Sequence, residues 1–183
     1  MKRLLAVLAV LAAALALPAG ASAKRSGPTI VDTVIAVSGT NLDDGNSADY
    51  DILREAVVAT GLAPALSGQK QYTVFAPNDA AFLKLGLAPT ESGTVSALVG
   101  ALGVDGVRQV LLYHVARGAR GAEDVVPATR IKTLQGSFIT KESGSTTLSD
   151  AVGRDVQIIA PFDLRLANGY IHTVDQVLLP FAP

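Results

Sequence analysis

The chain of 183 residues has no cysteine at all and only two histidines. Without cysteine there are no disulfides, no thiolate metal sites, no thiol nucleophile and no lipid attached through an N-terminal cysteine. The charge is balanced, 15 Lys and Arg against 16 Asp and Glu, so the basic footprint that nucleic acid requires is missing. No G-x-S-x-G elbow, H-E-x-x-H pair or phosphate-binding G-K-[ST] loop occurs. A hydrolase or metalloenzyme reading therefore has no local support, and the expected catalytic, cofactor and metal residues are none. There is no N-x-[ST] acceptor, internal repeat or low-complexity tract.

One long apolar run is present, Leu4–Leu17, behind Lys2 and Arg3. Pro18 breaks it, and Ala21-Ser22-Ala23 follows as a small-residue cleavage site. The run is shorter than the ~20 residues that span a bilayer. It reads as a signal peptide, residues 1–23, cleaved after Ala23. The mature chain would be residues 24–183, soluble and carrying 13 basic and 16 acidic side chains once Lys2 and Arg3 are gone. That length suits one domain with a core that needs no covalent staple. A short polar lead, 24–28, would precede a single domain at 29–183.

Along that domain, Thr29–Val37 is apolar and leaves strand or short helix open. Asn41–Asp49 holds Asp43, Asp44 and Asp49, lacks the ligand order of a calcium loop, and reads as a solvated loop. Asp51–Ala59 is an amphipathic helix, with Asp49 as a plausible cap and Gly61 as its stop. Thr73-Val-Phe75 is a strand ended by Pro77, and Asn78 caps a short helix carrying Ala81, Phe82 and Leu85. Thr94–Leu102 is a weaker helix. In Val107–Val115 the positions Val107, Val110, Leu111 and His114 share one face, which puts His114 on the buried stripe. Beyond it come short β-rich pieces at 131–134, 137–140, 145–148 and 156–159. Asn168-Gly169 is a strong hairpin signal joining Phe162–Ala167 to Tyr170–Asp175, a pairing that sets Arg165 opposite His172. Val177, Leu178 and Leu179 read as a buried last strand. Helices early and strands late make an α+β pattern, and the strand at Val74 must find its partners far along the chain.

Three blocks carry a resemblance. Thr73-Val-Phe75-Ala76-Pro77-Asn78-Asp-Ala-Ala-Phe82, the pair Tyr113-His114, and Asn168-Gly169-Tyr-Ile-His172-Thr-Val-Asp175-Gln-Val-Leu178-Leu-Pro180 resemble, in order, the signature blocks of the fasciclin domain family. Thr173 departs from the pattern, where the family prefers an aliphatic residue. The resemblance implies a compact β-sandwich or wedge with helices packed around one side. It also implies a secreted, extracellular, non-enzymatic protein that mediates cell adhesion by binding a cell-surface or matrix protein or polysaccharide, with retention in periplasm or cell wall as variants of that location. Some members of the family bind small hydrophobic ligands such as carotenoids, so a carrier is the alternative. In that case Leu98–Leu102 and Ile131–Ile139 are the stretches that would line a groove, although the same residues suit a core.

Most motif residues also have physical jobs. Phe75 and Phe82 are apolar anchors, Asn78 is a cap and Asn168-Gly169 is a turn. For Tyr113 and His114 two readings stand. His114 is a core histidine tying helix to sheet, or, as the resemblance implies, the pair helps form the adhesive region. His172 with Asp175 is not read as a catalytic pair, because residues three apart on a strand point to opposite faces.

Overall fold

The structure is a computed structural model that describes residues 27–39 and 41–181. The expected signal peptide, its cleavage at Ala23 and residues 24–26 of the polar lead lie outside the described residues. The elements run α1 (Ile30–Val37), α2 (Asp51–Ala59), α3 (Ala63–Leu66), β1 (Tyr72–Pro77), α4 (Asp79–Leu83), α5 (Glu91–Tyr113), β2 (Val115–Arg117), α6 (Ala122–Val125), β3 (Arg130–Lys132), β4 (Phe138–Thr140), β5 (Thr147–Ser149), β6 (Asp155–Leu166) and β7 (Gly169–Val174).

The strands form one sheet in the order β2-β1-β7-β6-β5-β4-β3. Only β1 and β7 are parallel, with Tyr72 beside Gly169 and Pro77 beside Val174. The early strand does find its partner late in the chain. β6 is long enough to serve both halves of the sheet, pairing with β5 at one end and with β7 along its length, across a register shift between Ile159 and Leu164. The two edges then meet: Ala116 bridges Thr133, and Leu134 N–H donates to the Val115 carbonyl at 2.7 Å. The sheet is thus rolled nearly shut, which hides edges that would otherwise invite pairing with another chain.

Alternation along β1 divides the core. Tyr72, Val74 and Ala76 join the helix-side cluster with Leu53, Phe82 and Leu111. Phe75 points the other way, into the roll, with Tyr113, Ile131, Ile139, Leu148, Val156, Val174 and Leu178. The helices therefore cover one face of the sheet, and β3–β5 fold over the other.

Several local expectations change. Thr29–Val37 is a helix because Thr29 and Asp32 form a capping box at its start. Asp49 does not cap α2. The carboxylate of Asp79 does so from α4, taking the N–H groups of Asp51 and Ile52 at 3.0 and 2.8 Å. The expected helices 94–102 and 107–115 are one element broken at Gly103, whose φ is 66°. By length and composition α5 would also pass as a membrane span, but this break and the packing of Val107, Val110, Leu111 and Tyr113 into the core assign it to the fold. It stops at Tyr113, and Val115 belongs to β2. The hairpin turn is Ala167-Asn168, since Leu166 pairs with Gly169, so Arg165 faces Tyr170 and not His172. Val177–Leu179 is buried but makes no strand. Nor is 41–49 simply a solvated loop: Asp49 is buried, and Asp43 accepts from the N–H and Oγ of Ser92 at 2.9 and 2.6 Å. Asp79 is buried against Asp49, and its carboxyl is pushed up to about 8, mainly by desolvation.

Gly169 is where sequence and fold meet most tightly. Its φ is 148°, and a Cβ there would lie 1.8 Å from the Tyr72 carbonyl oxygen. Gly169→Ala is expected to prevent β1 and β7 from closing, costing about 4 kcal/mol or more in urea unfolding. Gly100→Ala, in α5 with nothing within 4 Å of the new methyl, should instead stabilise by about 0.5–1 kcal/mol. A Gly169→Ala variant that unfolds with the wild-type midpoint would contradict this packing.

Candidate functional site

Tyr113 and His114 end α5 and sit inside the core. His114 is the C-cap residue of the helix. Its Nδ1–H donates to the Val110 carbonyl at 2.8 Å, and its Nε2 accepts from the Leu178 N–H at 2.9 Å. Its own carbonyl accepts from the Phe75 N–H at 2.9 Å. One residue thereby ties α5, β1 and the Val177–Leu179 segment together. Burial holds the imidazole neutral, lowering its pKa to about 4. The Tyr113 hydroxyl donates to the Phe138 carbonyl at 2.8 Å, and burial pushes its pKa up to about 12. Neither side chain reaches the surface.

His172 is also buried, stacked between Phe75 and Tyr170 at ring separations of 5.7 and 6.3 Å. It uses the opposite tautomer: Nε2–H donates to the Arg120 carbonyl at 3.0 Å, and Nδ1 accepts from the Asp163 N–H at 3.2 Å. Desolvation lowers its pKa. Asp175 lies apart from it, bonded to the Gln157 N–H and to Lys84 Nζ at 2.8 and 3.2 Å. With every ring nitrogen committed to backbone, neither histidine has an atom left for proton transfer or metal ligation.

The other motif residues work in the same way. Thr73 Oγ1 donates to the Gly118 carbonyl and accepts from the Arg120 N–H. Phe75, Ala76, Phe82 and Leu178 are buried, Pro77 ends β1, and Pro180 is half-buried after the last core segment. Asn78 caps α4 by accepting from the Ala81 N–H at 3.0 Å. Asn168 does more than turn the chain. It accepts from the Ile30 N–H at 2.8 Å and donates to the Leu66 and Gly68 carbonyls, which docks α1 and α3 on the β6–β7 turn. Thr173, the departure from the family pattern, bonds Tyr50 Oη at 2.7 Å and donates to the Pro161 carbonyl.

Two surface features went unread in the sequence. The irregular stretch of β6 between Ile159 and Leu164 leaves Phe162 54% and Leu164 38% exposed. Asp163 sits there at φ 60°, held by His172 and by the Ala122 N–H donating to its Oδ1 at 2.7 Å. The second is an apolar cavity of about 60 Å³ between α1, α2 and the sheet, lined by Ile30, Val34, Leu53, Val57, Leu66 and Leu111, with exposed Ile35 and Val58 at its mouth. Of the stretches expected to line a groove, Leu98–Leu102 and Ile131–Ile139, Leu98, Ile131 and Ile139 are core and Phe138 is exposed.

Also missed was a clamp on the final segment. The buried carboxylate of Asp150 holds Arg154 at 3.0 and 2.9 Å and accepts the Leu179 N–H at 3.1 Å, while Arg154 reaches the Val177 carbonyl. The only readable signal was a charged pair four apart around the turn at Gly153.

The chain matches the family model for the fasciclin domain over residues 48–180. It is 32% identical over 154 residues to transforming growth factor-beta-induced protein ig-h3 of Sus scrofa, covering 82% of this chain and 21% of that one. It is 32% identical over 133 residues to protein sll1483 of Synechocystis, covering 72% and 67%. The fold is similar, with a TM-score of 0.58 at 17% identity, to a structure described as a FAS1 domain pair from the insect cell adhesion molecule fasciclin I, covering 82% of this chain and 50% of that one. The chain thus spans about a fifth of the length of ig-h3.

The neutral, doubly bonded His114 sets a pH dependence. Its folded pKa of about 4 lies below the ordinary 6.5, so the unfolded chain takes up a proton first. The His114 contribution is full above about pH 6.5 and is lost as pH falls towards 4, by roughly 3 kcal/mol in all. His114→Ala should cost about 2–4 kcal/mol at pH 7. That deficit should shrink nearly to nothing by pH 4 in paired urea titrations. A deficit of equal size at both pH values would show that the ring is not buried neutral.

Proposed function

The chain belongs to the fasciclin domain family, and from that premise we propose that it is a secreted, non-catalytic adhesion module binding a protein or polysaccharide on a cell surface or in a matrix. The support from relatives is that ig-h3 shares this domain and that fasciclin I is described as a cell adhesion molecule. The observation that carries the reading is the β6 bulge. Phe162 and Leu164 stand exposed on a segment whose backbone is pinned by His172 and Thr173, with the Asp163 side chain held by the Ala122 N–H. A binding face that is already ordered loses little entropy on docking, and exposed aromatic and aliphatic anchors supply the contact energy. In this reading the buried family residues, Tyr113 and His114 included, serve adhesion by holding the scaffold.

A second reading is favoured by the apolar cavity. Its lining is mainly aliphatic, with Phe75, His114 and Arg54 among it, and exposed Ile35 and Val58 border it, which suits the end of a hydrocarbon chain. A carrier of a small hydrophobic ligand would use this notch.

Phe162→Ser with Leu164→Ser should leave stability within about 0.5 kcal/mol, since both side chains are exposed. Binding to matrix-coated or cell surfaces should fall about tenfold or more, the loss of one hot-spot cluster. Undiminished binding would exclude the bulge as the adhesive face. Protein recovered from its host should have a mass beginning at Lys24. Native and denaturing mass spectra that agree would favour the empty adhesion module, and a small adduct present only in the native spectrum would favour the carrier.

A further inference from the structure

The acidic side chains of the 41–49 loop converge with carboxylates from three helix starts. Asp44, Asp51 and Glu91 each bring an oxygen within 4.8 Å of the others, and so do Asp49, Asp51 and Asp79. Asp51 belongs to both groups. Asp51, Asp49, Asp79 and Glu91 are all more than nine-tenths buried. Much of this acidity has a visible structural partner: Asp79 caps α2, and Glu91 accepts from the Asp43 N–H at 2.9 Å. Asp51 does not. It is fully buried, and among the described residues neither carboxylate oxygen accepts a hydrogen bond. Its Oδ1 has Arg54 at 3.0 Å as an ion-pair partner, and its Oδ2 has no partner among the described residues. Asp49 Oδ1 is likewise buried without a hydrogen bond.

Gly39 lies beside the unpartnered Oδ2 of Asp51. A Cβ built on Gly39 would lie 2.7 Å from Asp44 Oδ2, 3.6 Å from Asp51 Oδ2 and 3.7 Å from the Asn41 carbonyl oxygen. Oxygens from three residues surround the place a side chain on Gly39 would take, and Arg54 donates to the Gly39 carbonyl beside them. Asp49, Asp51 and Glu91 crowd together out of water beside the Arg54 guanidinium, and a bound cation would relieve their mutual repulsion.

We propose that this junction is a binding site for a hard divalent cation of the calcium class, with Asp44, Asp51 and Glu91 as carboxylate ligands and Asp49 and Asp79 behind them. The donors are all oxygen, which suits Ca2+ and disfavours metals that seek nitrogen or sulfur. Oxygen ligands of Ca2+ lie about 2.3–2.6 Å from the ion, so pairs across one shell are at most ~5 Å apart, the scale of the observed spacing. Mg2+ requires tighter octahedral geometry and keeps its waters, so it should bind more weakly. The ligands come from separate segments, which is why no linear calcium motif is visible. A bound cation would lock the loop to α2 and α5, stiffening the helix layer.

The test is thermal melting and titration calorimetry of the full mature protein with CaCl2 itself after stripping with a chelator. At about 5 mM Ca2+, above the ~0.1–1 mM range of extracellular sites, Tm should rise by several degrees, and chelator should reverse it. Asp44→Asn alters an exposed side chain, so it should melt like wild type without calcium yet bind Ca2+ about tenfold or more weakly. Asp51→Asn keeps the shape of the side chain but removes the charge that faces Arg54, so it should lose the calcium response whatever its melting temperature in chelator. Two results would overturn the site. One is no heat and no Tm shift with Ca2+. The other is an equal shift with NaCl at matched ionic strength, which would mean screening alone.

Discussion

Everything in this molecule depends on the parallel pairing of β1 with β7. It joins Tyr72–Pro77 to Gly169–Val174, nearly a hundred residues later, and no shorter-range contact can replace it. Closing so long a loop is entropically costly, and the return comes only when the whole ladder forms. Two residues make that closure possible. Gly169 lets the Tyr72 carbonyl approach where any side chain would collide. Asn168 then uses its amide to hold α1 and α3 to the same corner. The helix layer, the rolled sheet and the two clusters of the core are all built outward from this seam.

The interior is polar in an ordered way. His114, His172, Thr73, Asn168 and Asp150 each bond backbone groups from distant segments, and each satisfies donors or acceptors that burial would otherwise leave stranded. Lys141 does the same with three carbonyls, those of Val126, Ala128 and Glu142. Such groups make the fold specific but have no free atoms for chemistry. The acidic junction differs because, among the described residues, oxygens of Asp49 and Asp51 there are left without hydrogen bonds. That difference separates residues that maintain the scaffold from residues with spare capacity to bind.

Much of the fold was legible. Asp51–Ala59 could be placed to the residue, because its apolar spacing, its acidic start and Gly61 agree. The break at Gly103 was visible as two helices, and the β-rich last third was visible as short alternating pieces. What escaped were features decided by partners. β6 runs on through a stretch that contains Pro161, because β7 and β5 hold its two ends. The hairpin turn moved one residue from Asn-Gly to Ala-Asn because Gly169 is needed inside the ladder, against Tyr72, rather than at the turn. Val177–Leu179 has strand composition but finds its hydrogen bonds in a histidine and an aspartate instead of a ladder.

From the order of residues alone came the α+β pattern and the family. Each rests on local composition, periodicity or a motif that needs no knowledge of what lies opposite. Tertiary structure alone decided which residues face outward and which polar atoms are left without partners. It turned Tyr113 inward, raised Phe162 and Leu164 on a bulge, and gathered Asp44, Asp51 and Glu91 from separate segments into one cluster. The physical reason is that burial and proximity belong to pairs of segments. A sequence read along its length carries the propensities of each segment, but the free energy of bringing two together appears only once the chain has closed on itself.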